Sequence, residues 1–134
     1  MSARLWALFA LCACAQILQL NDTNVNSAIS GHPLIFIKFY APWCGHCQHL
    51  APIYIEAAAI LAEEESKVVM AEVDATTEHA AAKQFDIRAY PTMIFFSDGK
   101  VDERYYGERK ANFIAEWLMR KEYQYNWQKA HPKP

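Results

Sequence analysis

One segment of the chain, Leu34 to Tyr40, is a nearly continuous run of aliphatic and aromatic residues that Pro42 ends. Such a run is typical of a strand buried on both faces, as in a parallel sheet covered by helices. Apolar residues then recur at helical spacing, which predicts a helix from Cys44 to about Glu65 with a kink at Pro52. A buried strand that leads directly into an amphipathic helix indicates the α/β class.

The rest of the chain alternates in the same way. Asn21 or Asp22 can cap the first helix, and Thr76 or Thr77 can cap the third. We expect further strands at 16–20, 68–74, 92–97 and 101–106, and further helices at 21–30, 76–85 and from after Gly107, with Tyr123 to Gln128 able to continue the last helix. Strand–helix–strand units followed by a hairpin predict a central mixed β-sheet flanked by helices on both faces. We place one domain at 16–122 and a tail at 123–134.

Composition excludes several classes of protein. Hydrophobic residues make up 53% of the chain, and there are only 4 Gly and 6 Pro, so a disordered or collagen-like chain is excluded. Lys and Arg number 13 against 15 Asp and Glu, a formal net charge of −2. Without a basic excess, we expect no nucleic-acid partner.

The first fifteen residues have the pattern of a secretory signal peptide. Arg4 supplies the positive charge, an apolar stretch follows, and Ala13-Cys14-Ala15 is a small-x-small site, so we expect cleavage after Ala15. The alternative is an uncleaved membrane anchor, but Gln16 and Gln19 interrupt the apolar run before it reaches about 20 residues. We therefore expect entry into the secretory pathway, and no membrane association after cleavage.

Cleavage leaves Cys44 and Cys47 as the cysteines of the mature chain. One close pair cannot form the multiple-disulfide framework of a small secreted protein, because a ring this small ties no distant elements together. Its chemistry is therefore the better explanation for the pair. Asn21-Asp22-Thr23 is also a glycosylation sequon, which agrees weakly with a secretory route.

Cys44-Gly45-His46-Cys47 spans the predicted end of the strand and start of the helix. A helix N-terminus carries partial positive charge and unpaired N–H groups, which stabilise a thiolate, and the thiolate is the form that attacks a disulfide. We therefore predict Cys44 as the nucleophile and Cys47 as the resolving cysteine of a redox-active disulfide. His46 adds a donor and Gly45 allows close approach of the backbone, so both tune the thiolate and its potential.

Three other interpretations of the pair are weaker. A closed zinc site would need one of the distant histidines His32, His79 or His131. Covalent haem attachment needs a histidine directly after the second cysteine, where this chain has Gln48. A purely structural crosslink is the third. We expect no metal and no cofactor.

The segment Ala41-Pro42-Trp43-Cys44-Gly45-His46-Cys47 resembles the active-site segment of a catalytic domain of the protein disulfide isomerase family, which has a thioredoxin-like fold. Other pieces fit the same family in the right order: Leu50-Ala51-Pro52, Val73-Asp74-Ala75-Thr76, Tyr90-Pro91-Thr92, and Gly107 with Arg109. The resemblance covers about Ile17 to Lys121.

The resemblance implies a thiol–disulfide oxidoreductase or isomerase that forms, reduces or reshuffles disulfides in client polypeptides containing cysteine. It also implies a separate oxidant or reductant that recharges the pair, and a monomer in the lumen of the endoplasmic reticulum. The chain ends His131-Pro132-Lys133-Pro134, without a retrieval signal, so secretion is the alternative. A non-catalytic chaperone-like peptide-binding module and a dedicated reductase are the rival functions.

The resemblance assigns roles to four more residues. Pro91 would be a cis proline facing the cysteines, with the backbone of Tyr90 free to pair with an extended client. Trp43 and Tyr90 would frame an apolar docking surface, and the alternative is that they are ordinary packing aromatics. Arg109 would lower the pKa of the resolving cysteine, or is an ordinary surface arginine.

The chain departs from the family pattern at two charged positions. The family usually has a buried Glu where this chain has Lys38, and a Lys where this chain has Glu72. We predict that the two form an exchanged buried pair beneath Cys47 that assists its proton transfer, since a matched pair is less costly to bury than a lone charge. The alternative is that both side chains reach solvent at the sheet ends.

Overall fold

The structure is a computed structural model that describes residues 15–134, so the signal-peptide prediction lies outside the described part except for Ala15. Five strands and four helices follow one another along the chain. They are β1 (Ile17–Leu20), α1 (Val25–Gly31), β2 (Leu34–Tyr40), α2 (Gly45–Glu63), β3 (Val69–Asp74), α3 (His79–Gln84), β4 (Thr92–Ser97), β5 (Lys100–Arg104) and α4 (Ala111–Ala130).

The strands form one mixed sheet in the order β1-β3-β2-β4-β5. β3 pairs in parallel with β1 and β2, whereas β4 is antiparallel to β2 and to β5. The central strand β2 therefore has a hydrogen-bonded neighbour at each edge. The carboxyl ends of β1, β2 and β3 point to the same edge, where chemistry collects in folds of this class.

Alternation along β2 divides the core into two layers. Leu34 and Phe36 face α2 and α4, where they pack with Leu50, Tyr54, Ile114 and Leu118. Ile35, Ile37 and Phe39 face α1 and α3 on the other side, where they pack with Val25, Ile29 and Ala81. Lys38 lies on the α2 face by the same alternation, and is the one charged residue buried within residues 15–134.

The cap of α3 differs from the predicted one. The helix begins at His79, later than Thr76 or Thr77 would place it, and Asp74 accepts hydrogen bonds from the Thr76 backbone and hydroxyl in the preceding turn. The acceptor at its N-terminus comes from elsewhere in the chain: Asp22 Oδ1 accepts from the N–H of Ala81 at 2.8 Å. A distant carboxylate thus does what a local cap usually does, which no local pattern predicts.

The hairpin turn has the expected residues. Asp98 and Gly99 both have positive φ, 49° and 81°, which suits a two-residue turn between β4 and β5. β5 ends at Arg104, not at Tyr106, because Tyr105 turns inward. The N–H of Tyr105 still donates to Met93 O at 2.9 Å, and its ring packs on Trp117 and Phe36.

The last helix includes the segment that the sequence allowed to continue it. α4 continues through Tyr123 to Gln128 and ends at Ala130, so most of the segment assigned to a tail is helical. A hydrogen bond from Tyr125 and an ion pair from Lys129, both to the distant Asp98, fasten this extension to the hairpin turn. Within residues 15–134, no helix is long and apolar enough to cross a membrane.

Candidate active site

Cys44 lies at the junction between the sheet and α2. β2 ends at Tyr40, a turn closed by the Cys44 N–H to Ala41 O bond follows, and Cys44 is the extended N-cap residue of α2. Gln48 Nε2 donates to Pro42 O at 3.0 Å and braces the turn. The N-terminus of a long helix is thus directed at the Cys44 sulfur, as the sequence predicted.

This position lowers the pKa of the Cys44 thiol. The largest cause is the backbone N–H of Cys47, followed by the Cys47 thiol, both acting as hydrogen-bond donors to the thiolate. The backbone N–H of His46 and the positive charge of Arg109 act in the same direction, while partial desolvation opposes them. A stabilised thiolate is the attacking form in disulfide exchange.

Cys47 has the opposite environment. Its side chain is buried, and desolvation raises the pKa of its thiol, although the backbone at Ala41 and the charge of Lys38 lower it in part. Both cysteines are free thiols in the structure. The exposed sulfur is therefore the readily ionised one, and the protected sulfur is the one whose proton must be removed later.

Tyr90 and Pro91 face the cysteines. The Tyr90–Pro91 peptide is cis, and the Cys44 thiol points at Tyr90 O at a sulfur–oxygen distance of 3.7 Å. The ring of Trp43 meets that of Tyr90 edge to face, with centroids 5.9 Å apart, and Trp43 is 71% exposed. The aromatic residues that the resemblance named are therefore beside the nucleophile, and one of them is open to solvent.

Lys38 and Glu72 are brought together by the register of β2 and β3. Lys38 Nζ lies 2.8 Å from Glu72 Oε2, and the side chains are 4% and 19% exposed. Gln19 Nε2 on β1 donates to the other carboxylate oxygen at 2.6 Å. The ammonium also lies 4.7 Å from the centroid of the Tyr54 ring, a cation–π contact. The pair is thus held from several sides, and Gln19 is a member that sequence reasoning missed.

A small cavity connects the pair with the resolving cysteine. It has a volume of about 180 Å³, and its lining includes Lys38, Glu72, Cys47, Ala51 and Pro42. Lys38 is close enough for its charge to lower the pKa of Cys47. The cavity can hold water, since it exceeds the volume of a single water molecule several times and has polar groups in its wall.

The remaining predicted site residues lie on the surface. The ring of His46 is exposed, and the influence of this residue on Cys44 comes from its backbone N–H. Arg109 is exposed in the loop before α4, within electrostatic reach of Cys44. Asn21 is exposed, and its side-chain oxygen accepts hydrogen bonds from the backbone and hydroxyl of Thr23.

The alternative zinc site would need distant histidines to approach the two cysteines. Among residues 15–134, no group of three or more His, Cys, Asp or Glu side chains is placed to hold a metal ion. His32 instead bonds through Nδ1 to Ala28 O at 2.8 Å.

Comparison with known proteins agrees with this geometry. Residues 16–120 match the family model described as Thioredoxin. Protein disulfide-isomerase A2 of Pongo abelii is 48% identical over 107 residues, which cover 78% of this chain and 20% of that protein. The chain therefore spans about a fifth of the length of such relatives.

Solved structures give the same result. The first thioredoxin domain of mouse Protein disulfide-isomerase A4 superimposes with a TM-score of 0.70 at 32% identity, covering 78% of this chain and 74% of that one. The zinc-bound form of human ERp44 gives a TM-score of 0.76 at 30% identity, covering 80% and 31%. The thioredoxin-like fold and the resemblance to protein disulfide isomerases are both confirmed: the chain belongs to the thioredoxin family, in its protein disulfide isomerase branch.

Proposed function

We propose that this domain is a thiol–disulfide oxidoreductase that forms, reduces or reshuffles disulfides in client polypeptides. One observation carries the proposal: a partly exposed Cys44 with a lowered pKa caps α2, and a buried Cys47 lies one turn further along the same helix. This is the arrangement of an attacking and a resolving sulfur.

The chemistry balances within the pair. The Cys44 thiolate attacks one sulfur of a client disulfide, a mixed disulfide forms, and the second client sulfur leaves as a thiolate. The Cys47 thiolate then attacks Cys44 Sγ, which releases the first client sulfur and leaves a Cys44–Cys47 disulfide. The client gains two electrons and the domain loses two. Run in reverse, the same steps oxidise a client dithiol, and a separate redox partner resets the pair.

The client docks beside Cys44 on the aromatic surface of Trp43 and Tyr90. One support is the exposure of the Trp43 side chain to solvent. The other is the Tyr90 carbonyl oxygen, which accepts a long hydrogen bond from the Cys44 thiol. A client in extended form can supply a better donor to that carbonyl, which is a form of strand addition.

The buried pair assists the second step. Lys38 contacts the Glu72 carboxylate and the face of the Tyr54 ring, and both contacts stabilise a charged ammonium. Lys38 therefore acts as a fixed positive charge that favours the Cys47 thiolate. The proton leaves Cys47 through the adjoining cavity toward solvent. Both Glu72 oxygens already accept hydrogen bonds, from Lys38 and Gln19, which makes Glu72 a positioning residue for Lys38.

The domain works as a monomer in the secretory-pathway lumen. Support for the compartment comes from the signal-peptide pattern of residues 1–15, which leads to a lumen where disulfides form and persist. Asn21 is an exposed acceptor for glycosylation on that route.

Two cysteine variants test the function. Cys44→Ser abolishes exchange with a model disulfide, because the attacking sulfur is gone. Cys47→Ser still attacks but cannot resolve, so a covalent domain–client complex accumulates on a non-reducing gel. Full exchange activity in Cys44→Ser would refute the proposal.

The exposed Trp43 also favours a second candidate, a chaperone-like peptide-binding module. Suppression of client aggregation that persists undiminished in a Cys44→Ser/Cys47→Ser variant, together with no exchange by the parent, would favour it. Where exchange is found, the reduction potential of the Cys44–Cys47 disulfide distinguishes a reductase from an isomerase. A value of about −270 mV is typical of a reductase and about −180 mV of an isomerase.

A further inference from the structure

Pro91, the residue after the Tyr90 carbonyl that the Cys44 thiol points at, lines a groove that Cys44 does not line. The groove has a volume of about 370 Å³ and runs between the loop before β4 and the loop after β5. We call it the Pro91 groove and define it by the lining residues Asp86, Arg88, Pro91, Arg104, Tyr106 and Arg109. An extended client that crosses Tyr90 reaches it, because one strand residue advances the chain by about 3.3 Å.

The Pro91 groove is positively charged in an acidic protein. Three arginines and one aspartate line it, whereas the whole chain has a formal net charge of −2. Glu108 next to the groove is already paired with Lys110, at 3.1 Å. The groove is therefore positive although the protein as a whole is negative. A concave positive surface attracts negatively charged ligands, and an extended client would pass along it.

Two of the arginines have donors to spare. Arg88 meets Asp86 through Nε at 2.8 Å, which leaves the terminal nitrogens of its guanidinium without a partner among residues 15–134. Arg109 makes no hydrogen bond or ion pair within the same residues. Arg104, in contrast, already makes a hydrogen bond within the domain, from its Nη2 to Phe85 O at 2.7 Å. Terminal guanidinium nitrogens are the donors that hold a carboxylate in bidentate fashion.

The outer wall of the groove is an aromatic ring. Tyr106 is 87% exposed, and its loop is fixed because the Tyr105 hydroxyl donates to Glu108 O at 2.6 Å. A Cβ at Gly107 would come within 2.6 Å of that hydroxyl, so the close turn depends on glycine. The loop thus adds an exposed aromatic ring to a groove that Arg109 also lines. The ring can pack on the aliphatic stem of an acidic side chain while a guanidinium pairs with its carboxylate.

We propose that the Pro91 groove selects clients that carry an Asp or Glu within two residues of the reactive cysteine, with Arg88 and Arg109 as the recognising residues. This rests on the proposed exchange function and names its client preference. The client carboxylate pairs with the free guanidinium nitrogens while the neighbouring cysteine reacts at Cys44.

The test uses the reduced domain and single-cysteine peptides that are linked by a disulfide to neutral 2-mercaptoethanol. The peptides differ only in Asp, Asn or Lys at the second position before or after the cysteine. Each rate constant is divided by that for dithiothreitol with the same peptide, which removes the effect of the peptide charge on its own sulfur. We expect the Asp peptide to react about fivefold faster than the Asn peptide at low salt, with the Lys peptide slowest.

Arg88→Gln is the deciding variant. It should leave the rate with the Asn peptide unchanged and bring the Asp-to-Asn ratio close to one. The fold tolerates it because the Arg88–Asp86 pair is exposed, 83% and 66%. Lys100→Gln, which removes one positive charge at the hairpin outside the groove, is the matched control and should keep the preference.

The outcomes separate this inference from the function on which it rests. An Asp-to-Asn ratio near one in the parent domain, or a ratio that Arg88→Gln leaves intact, overturns the groove proposal while exchange itself stands. Absence of exchange with every peptide, the neutral one included, overturns the function and the groove proposal together.

Discussion

Lys38 Nζ lies 2.8 Å from Glu72 Oε2, and both residues line the same cavity as the resolving Cys47. The two side chains are paired because Lys38 and Glu72 are aligned in the parallel register of β2 and β3. Lys38 lies on β2, which pairs with β4 on its other edge, so a cation stands at this place in the centre of the sheet. A positive charge in this place favours the Cys47 thiolate directly, whereas a carboxylate would have to accept its proton.

Lys38→Gln should shift the pH dependence of mixed-disulfide resolution upward. Burial raises the pKa of Cys47, and the charge of Lys38 lowers it in part. Loss of that charge should therefore raise the pKa of Cys47 further. At a fixed pH near neutrality, less Cys47 thiolate is present and the mixed disulfide persists longer. Stopped-flow measurement of resolution against pH checks this.

The matched control is the double exchange Lys38→Glu/Glu72→Lys, which keeps one charge of each sign in the pair but reverses their positions. Lys38→Gln alone leaves Glu72 without its partner and should cost about 3 kcal/mol of unfolding free energy, near the low end for buried pairs because Glu72 is partly exposed. The double exchange should recover most of that stability. Resolution in Lys38→Gln with the pH profile of the parent would contradict the role of Lys38.

Cys47→Ala should raise the pKa of Cys44. The variant keeps the backbone N–H of residue 47 but loses its thiol, which is the second largest cause of the lowered Cys44 pKa. Since only the thiolate is alkylated, the rate of reaction with iodoacetamide rises with pH through the Cys44 pKa, and the midpoint should move to higher pH.

His46→Ala is the comparison for that experiment. The influence of His46 on Cys44 is carried by its backbone N–H, which alanine keeps. The midpoint of alkylation should therefore move less in His46→Ala than in Cys47→Ala. The reverse order would show that the imidazole ring, not the backbone, stabilises the thiolate.

Gly107→Ala should destabilise the domain by about 1–3 kcal/mol. The new Cβ would lie 2.6 Å from Tyr105 Oη and 2.7 Å from Cζ, and Tyr105 is itself packed on Trp117. Gly31→Ala is the matched control, because a Cβ there meets nothing within 4 Å. Urea unfolding of the reduced proteins measures both, and equal midpoints for the two variants would contradict the packing argument.

Asp22→Ala should cost about 1 kcal/mol, the usual effect of losing a helix N-cap. Asp22 Oδ1 accepts from Ala81 N–H at the start of α3, and Glu78 Oε1 in turn accepts from the Asp22 N–H at 2.9 Å. Asp22→Asn keeps an acceptor oxygen and should lose less. Thermal unfolding of unglycosylated protein compares them, and equal losses in both variants would show that charge, not the hydrogen bond, is what stabilises α3.

Most of the fold and the reactive pair could be predicted from local sequence. β2 and β4 have the predicted bounds, because uninterrupted apolar runs leave few alternatives to a buried strand. The ends of elements were less accurate where a distant group decides them. α3 starts late beside Asp22, and α4 extends to Ala130 where Tyr125 and Lys129 reach Asp98.

The members of the site that were missed carry no signal of their own. Gln19 reads as an ordinary polar residue in an edge strand, and only the pairing of β1 with β3 brings it to Glu72. Arg88 and Tyr106 are separated along the chain, and they share a groove only because β4 and β5 return to the same edge of the sheet.

The order of strands and helices, the burial of β2 and the placing of Cys44 at a helix start follow from residue patterns alone, because periodicity and helix dipoles act over a few neighbouring residues. Which partners meet Cys44 and Cys47 was decided by the tertiary structure. Lys38 reaches Glu72, Tyr90 reaches Cys44, and Arg109 comes within range of the thiolate through strand register and loop packing. Electrostatic and hydrogen-bonding effects depend on distance in space, which separation along the chain does not determine.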